Sequence, residues 1–234
     1  MGSDLPRLED FERIVFFTGA GLSAESGIPT YRGSGGLWAQ YDYEDFACQR
    51  AFDRDPAKVW TFHDERREAV AACEPNLAHR IIAKIQREKT ATRIVTQNID
   101  GMHQRAGAVD VIELHGSLWR VRCDACGAEK EDLGLPLLPK RCKCGAWWRP
   151  AIVWFEDPLN FDVVEAAVRA IEACDCLVGI GTSGEVYPAA ELPLIAMRAG
   201  AVTLEINPEE TPLSPLYTHV LRGPATEMMA LLAG

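Results

Sequence analysis

The chain has 234 residues, 47% of them hydrophobic, which excludes a globally disordered protein and allows one sizeable domain with a smaller second one. Its 34 acidic residues outnumber its 24 basic ones, for a formal net charge of −10, and such a chain is a poor binder of nucleic acid because it repels phosphates. No apolar run approaches the roughly 20 residues that cross a bilayer and the N-terminus has no signal-peptide core, so we expect a cytoplasmic protein without a membrane partner.

The first predicted element is a short buried strand that runs into a glycine-rich turn. Gly19, Gly21 and Ala24 follow it in the pattern G-x-G-x-x-A. Glycine lets the backbone approach a pyrophosphate, and a helix that follows would offer N–H donors at its N-terminus. An ordinary strand-to-helix turn is the alternative. A dehydrogenase needs a second strand that ends in an acidic residue about 20 residues later, and no apolar strand lies there, so dinucleotide binding is favoured over standard dehydrogenase chemistry.

Polar side chains end the next two predicted strands. Gln97, Asn98 and Asp100 follow the strand RIVT, and His115 ends the strand VIEL. Asn and Asp also favour turns on their own account, and a lone histidine is more often structural. Beside a nucleotide crevice, however, a histidine can act as a general base near neutral pH.

Four cysteines form two closely spaced pairs. Cys123 and Cys126 make a C-x-x-C pair, and Cys142 and Cys144 make a C-x-C pair. Four thiolates suit tetrahedral zinc, and a site closed by four cysteines is structural because it leaves no position for water. The alternative is four free cysteines in a loop. We expect one structural Zn²⁺.

The remaining pattern predicts an α/β fold. Helical patterns cover 43–73 and 75–88, and after the cysteines the chain alternates strand and helix at βαβ spacing. We therefore expect a Rossmann-like parallel sheet with helices on both faces, plus a small zinc-ribbon and helical insertion module. The predicted units are a Rossmann-like NAD-binding domain (1–39 with 93–119 and 150–234), a helical module (40–92) and a zinc-binding module (120–149).

Two later strand ends carry further candidate ligand contacts. Gly181, Thr182 and Ser183 follow the strand CLVGIG, and Glu205 and Asn207 lie at the end of the strand VTLEI. Ligands of open α/β sheets bind beyond the carboxyl ends of the strands. Three strand ends that meet at one crevice strengthen the dinucleotide hypothesis.

The motifs of this chain resemble those of sirtuins, a family of NAD-dependent protein lysine deacylases. The matching segments cover nearly all of 13–225 in the family's order: GAGLSAESGIPTYRG, TQNIDGMH, ELHG, the cysteine quartet, RPAIVWF, GTSGEVYPAA and the Asn207 turn. The resemblance implies that no hydride moves. The acyl oxygen of a modified lysine attacks the nicotinamide ribose, nicotinamide leaves, and the acyl group ends on ADP-ribose.

The resemblance also assigns roles to residues. His115 is the implied base that activates the ribose hydroxyls, and Asn98 and Asp100 join it as catalytic residues. The implied NAD contacts are Gly19, Ala20, Gly21, Ile28, Tyr31, Arg32, Trp38, Gln97, Asn98, Ile99, Asp100, Gly181, Thr182, Ser183, Asn207, Pro208, Glu209 and Ala225. A dry site with fixed polar groups suits a cationic transition state.

Acyl specificity is suggested by the segment VWTFHDERREAV, which resembles a helix of class III sirtuins. In that class the pattern Y-x-x-R reads an acidic acyl group such as succinyl. Arg66 matches the arginine and His63 replaces the tyrosine, while Ala24 also resembles that class. A guanidinium can clamp a carboxylate. The alternative for Arg66 is a solvated surface arginine.

The substrate peptide is expected to add as a strand between IVWF and GEVYP. Val153, Phe155, Gly184 and Glu185 are the implied contacts, with Phe155 lining the lysine tunnel. The family usually has W-F-G-E where this chain has Glu156 after the phenylalanine, and Phe where it has Tyr31.

The resemblance predicts a deacetylase that is also a desuccinylase, acting as a monomer on acylated lysine side chains of proteins. ADP-ribosyl transfer to protein and plain NAD hydrolysis are the enzymatic alternatives, because they cleave the same bond. A non-catalytic NAD-binding module is the third. The presence of Asn98, Asp100 and His115 favours deacylation over all three.

Overall fold

The computed structural model describes residues 5–31 and 36–234 and is built around a six-stranded parallel sheet. The strands of this part of the chain are β1 (Ile14–Thr18), β2 (Arg93–Thr96), β3 (Ile112–Glu113), β4 (Gly116–Arg122), β5 (Glu129–Glu131), β6 (Arg149–Ile152), β7 (Cys176–Ile180), β8 (Val202–Ile206) and β9 (His219–Leu221). The large sheet has the order β3-β2-β1-β7-β8-β9, and each neighbouring pair is parallel. Strand order therefore reverses between β1 and β7, where ligands bind in open α/β sheets.

Helices cover both faces of this sheet, which confirms the predicted fold class. The α-helices are α1 (Tyr43–Phe46), α2 (Gln49–Arg54), α3 (Pro56–Ala71), α4 (Leu77–Glu88), α5 (Met102–Arg105), α6 (Phe161–Glu172), α7 (Leu192–Arg198) and α8 (Ala225–Ala233). Alternate residues of β1 point to opposite faces: Phe16 packs in the cluster with α4 and α8, and Phe17 in the cluster with α6 and α7. None of the described helices is both long and apolar enough to cross a membrane.

The segment 43–73, where the sequence predicted a helical pattern, forms the three helices α1, α2 and α3. Asp42 caps α1 by accepting a hydrogen bond from the Glu44 backbone N–H. Asp55 caps α3 by accepting from the Lys58 N–H, and Pro56 occupies the first position of that helix. An aspartate followed by a proline both ends the preceding helix and starts the next, because neither residue continues a helix well.

A second, antiparallel sheet has the order β5-β4-β6 and packs against α2 and α3. The Trp60 indole N–H of α3 donates to the Trp148 carbonyl at 2.6 Å. Arg67, also on α3, is 1% exposed; it donates to the Leu118 carbonyl. By contrast α4 packs in the core of the large sheet. The division of the chain into three units stays a prediction.

Candidate active site

Two glycine turns touch at the point where the strand order reverses. The Gly19 N–H donates to the Ile180 carbonyl and the Gly21 N–H to the Gly181 carbonyl, each at 2.9 Å. A Cβ atom on Gly19 would lie 2.7 Å from the Gly181 oxygen, and Gly181 has φ +60°. Only glycine allows this close approach. The turns form a backbone cradle beside the strand ends, which fits a dinucleotide.

The helix that follows Gly19 is a 3-10 helix, Ala20–Ser26, that ends at Gly27 with φ 89°, a helix type that the prediction did not specify. Gly21 N–H is already used by Gly181. The tight turn aims the Ser23 side chain inward, toward the residues that follow β2.

Asn98, Asp100 and Ser23 form one buried polar network. The Asn98 side-chain amide donates to the Gly19 carbonyl at 3.0 Å and to Ser23 Oγ at 3.3 Å. Ser23 Oγ donates to Asp100 Oδ2 at 2.7 Å, and the Met102 N–H donates to Asp100 Oδ1 at 2.9 Å. These bonds fix both side chains in one orientation.

The Asp100 carboxyl is held in a low-dielectric environment. Burial raises its pKa above the ordinary value, while hydrogen bonds from Met102 and Ser23 and the positive charge of Arg66 act in the opposite direction. The influence of Arg66 on this carboxyl indicates that the two side chains belong to one electrostatic site.

His115 lies in the turn between β3 and β4, and one of its two ring nitrogens already makes a hydrogen bond. Its Nδ1 lies 2.9 Å from the Gln97 carbonyl oxygen, which can only accept, so Nδ1 carries the proton and Nε2 is left as the basic nitrogen. Burial lowers the pKa of His115, and the hydrogen bond to Gln97 opposes that shift. A neutral imidazole with a free Nε2 is suited to accept a proton.

One pocket is lined both by residues that were predicted to contact nicotinamide and by Arg66, which was predicted to contact the acyl group. Its lining residues are Ala20, Ser23, Ile28, Pro29, Tyr31, Arg66, Asn98, Ile99, Asp100 and Leu118. Trp38 packs next to it, 6.0 Å from the Tyr31 ring and 5.4 Å from the Phe155 ring. Ala24 is exposed in the 3-10 helix. Arg32 lies outside the described residues.

The predicted adenosine contacts meet at the ends of β7 and β8. The Asn207 side-chain amide donates to the Thr182 carbonyl at 2.8 Å, and the Glu209 N–H donates to Asn207 Oδ1. Ser183 Oγ accepts from the Glu185 N–H at 3.3 Å. Ala225, at the start of α8, is buried in the core cluster that contains Leu204 and Ile206 of β8, and Pro208 is exposed in the turn after β8.

Glu205 is a buried carboxylate below this turn. It accepts hydrogen bonds from Thr211 Oγ1 at 2.6 Å and Ser214 Oγ at 2.5 Å, and it pairs with Arg222 at 2.8 Å. Both of its oxygens therefore bond to groups of the fold itself. Glu205 holds the Asn207 turn in place from behind.

His63 faces away from the pocket and into an aromatic cluster. It is 2% exposed, its ring stacks 5.9 Å from Trp154, and it meets the edge of Phe62 at 5.2 Å. Burial, together with the charge of Arg66, lowers the pKa of His63 to about 3. A hydrogen bond with the Phe46 backbone acts to raise the pKa of His63 but is too weak to offset burial.

The predicted peptide-binding segment leaves β6 beside His115. The Val153 N–H donates to the His115 carbonyl, and the Phe155 N–H to the Ala47 carbonyl. Glu156, where the family has glycine, keeps a glycine-like φ of 73°. Gly184, with φ 69°, and Glu185 lie in the loop after β7.

The four predicted metal ligands come together at the end of the small sheet. The Sγ atoms of Cys123, Cys126, Cys142 and Cys144 all lie within 4.8 Å of one another. Four sulfurs at that spacing fit a tetrahedral Zn²⁺, whose Zn–S distance is about 2.3 Å. The donor set is closed, so the ion would be structural.

Ser23 is the site residue that the sequence prediction missed. It is the hydroxyl in the first turn after Gly21, and it contacts both Asn98 and Asp100. Its position two residues after the glycine pair was a usable signal, because a side chain there follows the strand end into the same crevice as the residues after β2.

Comparisons with known proteins agree with this geometry. The Sir2 family model matches residues 19–188. A protein of Aquifex aeolicus called NAD-dependent protein deacylase is 47% identical over 206 residues, covering 87% of this chain and 86% of the relative. NAD-dependent protein deacylase 1 of Pseudomonas aeruginosa is 44% identical over 228 residues, covering 93% and 91%.

The chain is also similar to solved structures of Sir2 proteins. A Sir2 homologue in complex with NAD is 46% identical, with a TM-score of 0.88, and the match covers 96% of this chain and 89% of that one. A Sir2 structure with a deacetylated p53 peptide and 3′-O-acetyl ADP-ribose is 32% identical, with a TM-score of 0.86 and coverage of 95% and 93%.

Proposed function

Because the chain belongs to the Sir2 family, we propose that it is an NAD-dependent protein lysine deacylase. It removes the acyl group from a modified lysine, transfers it to ADP-ribose and releases nicotinamide. The observation that carries this proposal is that the Gln97 carbonyl, next to the fixed Asn98 side chain, binds Nδ1 of His115 and leaves Nε2 free. The relatives named NAD-dependent protein deacylase support the same activity.

NAD would supply a ribose whose bond to nicotinamide is weak enough to break when the acyl oxygen attacks. The glycine turns around Gly19 and Gly181 would hold its phosphates by backbone contact. The Asn207 turn, with Thr182 and Ser183, would hold the adenosine half. Asn98 and Asp100 would hold the nicotinamide half of NAD. Their side chains are already fixed by hydrogen bonds, so they need no rearrangement during the reaction.

His115 acts as the general base. Its Nδ1–H is engaged by Gln97, so Nε2 is the atom that takes a proton from a ribose hydroxyl. Burial lowers its pKa, which keeps the ring neutral at physiological pH and available to accept that proton.

The zinc ion has no part in this chemistry. With four cysteine sulfurs around it, no position is left for water or substrate. Its proposed role is to hold the loops after β4 and before β6 together, since the ligands follow one strand and precede the other.

The acyl specificity that we propose is acetyl together with acyl groups that end in a carboxylate, such as succinyl. Support comes from the resemblance to class III sirtuins and from the position of Arg66 on the pocket that Asn98 and Asp100 also line. A half-buried guanidinium is a strong binder of a carboxylate. We further propose that the enzyme acts as a cytoplasmic monomer on protein substrates, without nucleic-acid or membrane partners.

Mass spectrometry of the products tests the proposal. The protein is incubated with NAD and an acetyl-lysine peptide. Acyl-ADP-ribose and free lysine support deacylation. ADP-ribose attached to protein would instead support ADP-ribosyl transfer, ADP-ribose without peptide change would support NAD hydrolysis, and no turnover would support a binding module.

A further inference from the structure

We propose that the Tyr31 hydroxyl and the Arg66 guanidinium together form the binding site for the terminal carboxylate of an acyl group. The inference rests on the proposed deacylase function and deepens it. It assigns the second donor of the carboxylate clamp to the loop that precedes α1, whereas the sequence pattern pointed to His63 on α3.

The geometry begins with direct contact between the two side chains. Arg66 Nη2 donates to the Tyr31 hydroxyl oxygen at 3.1 Å. The guanidinium also lies 5.2 Å from the centre of the Tyr31 ring and 5.8 Å from that of Phe62. Two aromatic faces and one hydrogen bond thus fix the direction in which the remaining Arg66 donors point.

Arg66 is a half-buried cation without an anion. Across the described part of the chain, no carboxylate lies within ion-pair distance of it. Its neighbour Arg67, by contrast, pairs with Asp132 at 3.2 Å. Partly desolvated charge is costly unless it is paired, so the Arg66 site gains stability when a ligand brings a carboxylate.

Tyr31 has the right protonation state to be the second donor. Its oxygen accepts from Arg66, so its own hydrogen remains free to donate. Burial raises the pKa of Tyr31 above its ordinary value, although the charge of Arg66 acts in the opposite direction. The hydroxyl therefore stays protonated at neutral pH and can donate to a carboxylate oxygen.

Both side chains line the pocket that contains the reacting end of the site. Asn98 and Asp100 line the same pocket, and the charge of Arg66 reaches the Asp100 carboxyl. An acyl group whose carbonyl is near these residues can extend its far end toward Tyr31 and Arg66. An acetyl group has no carboxylate to place there.

His63 is less suited to the role. It is 2% exposed, stacks on Trp154 and is absent from the pocket lining. The family usually has phenylalanine at position 31 and, in class III, tyrosine at position 63, whereas this chain has tyrosine and histidine. This chain therefore carries its phenol in the loop before α1, in contact with the same arginine.

The test compares succinyl-lysine and acetyl-lysine peptides of identical sequence with the variants Tyr31→Phe, Arg66→Met and His63→Phe. Tyr41→Phe is the matched control, because it removes the hydroxyl of a tyrosine in the same aromatic cluster: Tyr41 packs on Phe62, which stacks on Trp38, the neighbour of Tyr31. We expect Tyr31→Phe to lower the succinyl-to-acetyl ratio of kcat/KM by about tenfold, because it removes a hydrogen bond to a charged group. Arg66→Met lowers the ratio further, and His63→Phe and Tyr41→Phe change it less than twofold.

Peptide affinity measured by calorimetry without NAD gives a second readout that does not need turnover. We expect Tyr31→Phe to weaken binding of the succinyl peptide by about tenfold relative to the acetyl peptide. An unchanged ratio in Tyr31→Phe, or an equal drop in His63→Phe, overturns the inference. So does a wild-type protein that deacylates only the acetyl peptide, a result that also overturns the proposed acyl specificity but leaves the proposed deacylase activity intact. Absence of any turnover overturns the proposed function, and the binding ratio still decides the inference.

Discussion

His115 and Asp100 are two titratable side chains of the site that burial shifts in opposite senses. Burial raises the pKa of the Asp100 carboxyl and lowers that of the His115 imidazole, because a low dielectric disfavours the charged form of each group. The imidazole thus gains the neutral form that a base needs. The two nitrogens of His115 are distinguished by the single bond from Nδ1 to the Gln97 carbonyl.

The first prediction concerns the acid side of the pH profile. His115 must be neutral to accept a proton, so kcat/KM falls as pH drops through its folded-state pKa. Because that pKa lies below the ordinary 6.5, the acid limb of the wild-type profile should have an apparent pKa below about 6.5. His115→Asn should lower kcat/KM at pH 7.5 by about 10²- to 10⁴-fold. An acid limb above pH 6.5, or an active His115→Asn, would contradict the role.

Among the individual site residues, those that follow strand ends were predictable from the sequence. Those that reach the site through contacts between distant parts of the chain were not. Asn98, Asp100 and His115 come directly after strands, where the topology brings ends together. Ser23 is recognisable only once the 3-10 turn shows where it points. The contact between Tyr31 and Arg66 joins residues 35 apart in the chain, a pairing that no local pattern contains.

Helix α3 presents adjacent arginines to opposite environments. Arg66 faces the pocket, while Arg67 is 1% exposed and donates to the carbonyl oxygens of Leu118, Asp132 and Gly134. Arg67 therefore links the helix to the small sheet and to the loop that follows it. The two positions form a matched pair of the same residue type on the same helix.

The second prediction uses that pair. Arg67→Met leaves the carbonyl groups of Leu118, Asp132 and Gly134 without the Arg67 donor, while the Asp132 carboxylate keeps its ion pair with Lys130. We expect a loss of about 3 kcal/mol of unfolding free energy, because buried acceptors lose their hydrogen bonds. Arg66→Met should change the unfolding free energy by less than about 1 kcal/mol, because the described structure gives Arg66 one hydrogen bond to a neutral hydroxyl and no ion pair. Urea denaturation of both variants measures the difference. Equal losses would contradict the assigned environments.

The third prediction concerns the metal. We expect one zinc per chain by elemental analysis, and Cys142→Ser or a strong chelator should remove it. Loss of the ion should lower the thermal midpoint by several degrees and increase hydrogen exchange in β4, β5 and β6, while the strands of the large sheet stay protected. Wild-type stability in a metal-free preparation would contradict a structural zinc site.

Secondary structure was predictable where hydrophobic periodicity is long. β1, β2, β7, β8, α4 and α6 lie where the pattern predicted them. The single-turn helices α1 and α5, and the short strands β5 and β9, have too few residues for a period to emerge. β6 ends at Ile152 although the apolar run continues to Phe155, because Phe155 pairs instead with Cys48.

At the scale of the whole molecule, three histidines are buried in a neutral state. Burial lowers the pKa of His63 to about 3, that of His79 to about 4 and that of His103 to about 3. His79 lies beside His103, with ring centres 5.1 Å apart. None of the three can be protonated in the folded protein until the pH is far below neutral.

The fourth prediction follows from that burial. Below pH 6.5 the unfolded chain protonates these histidines and the folded chain does not, so the stability present above that pH is lost as the pH falls. We expect about 1 kcal/mol of unfolding free energy to be lost per histidine between pH 7.5 and 5.5, less any offset from carboxyls such as Asp100 whose pKa is raised. Urea curves at both pH values measure the loss, and His103→Gln should reduce it. A stability that does not change over this range would contradict the neutral burial.

The strand order of the sheet explains why one crevice can serve two substrates. The reversal between β1 and β7 places the Gly19 and Gly181 turns together, while the loops after β2, β3 and β6 bring Asn98, His115 and Phe155 to the same edge. This arrangement was predictable in outline from three strand ends, because parallel strands place their carboxyl ends on one edge.

The most direct test of the account is to measure nicotinamide release and lysine deacylation in the same reaction, with acetyl and with succinyl peptides. We predict one nicotinamide released per acyl group lost, with the acyl group recovered on ADP-ribose, for both peptides, and no more than trace release without peptide. Nicotinamide release that is unlinked to loss of the acyl group, with ADP-ribose recovered free or on protein, would contradict the account.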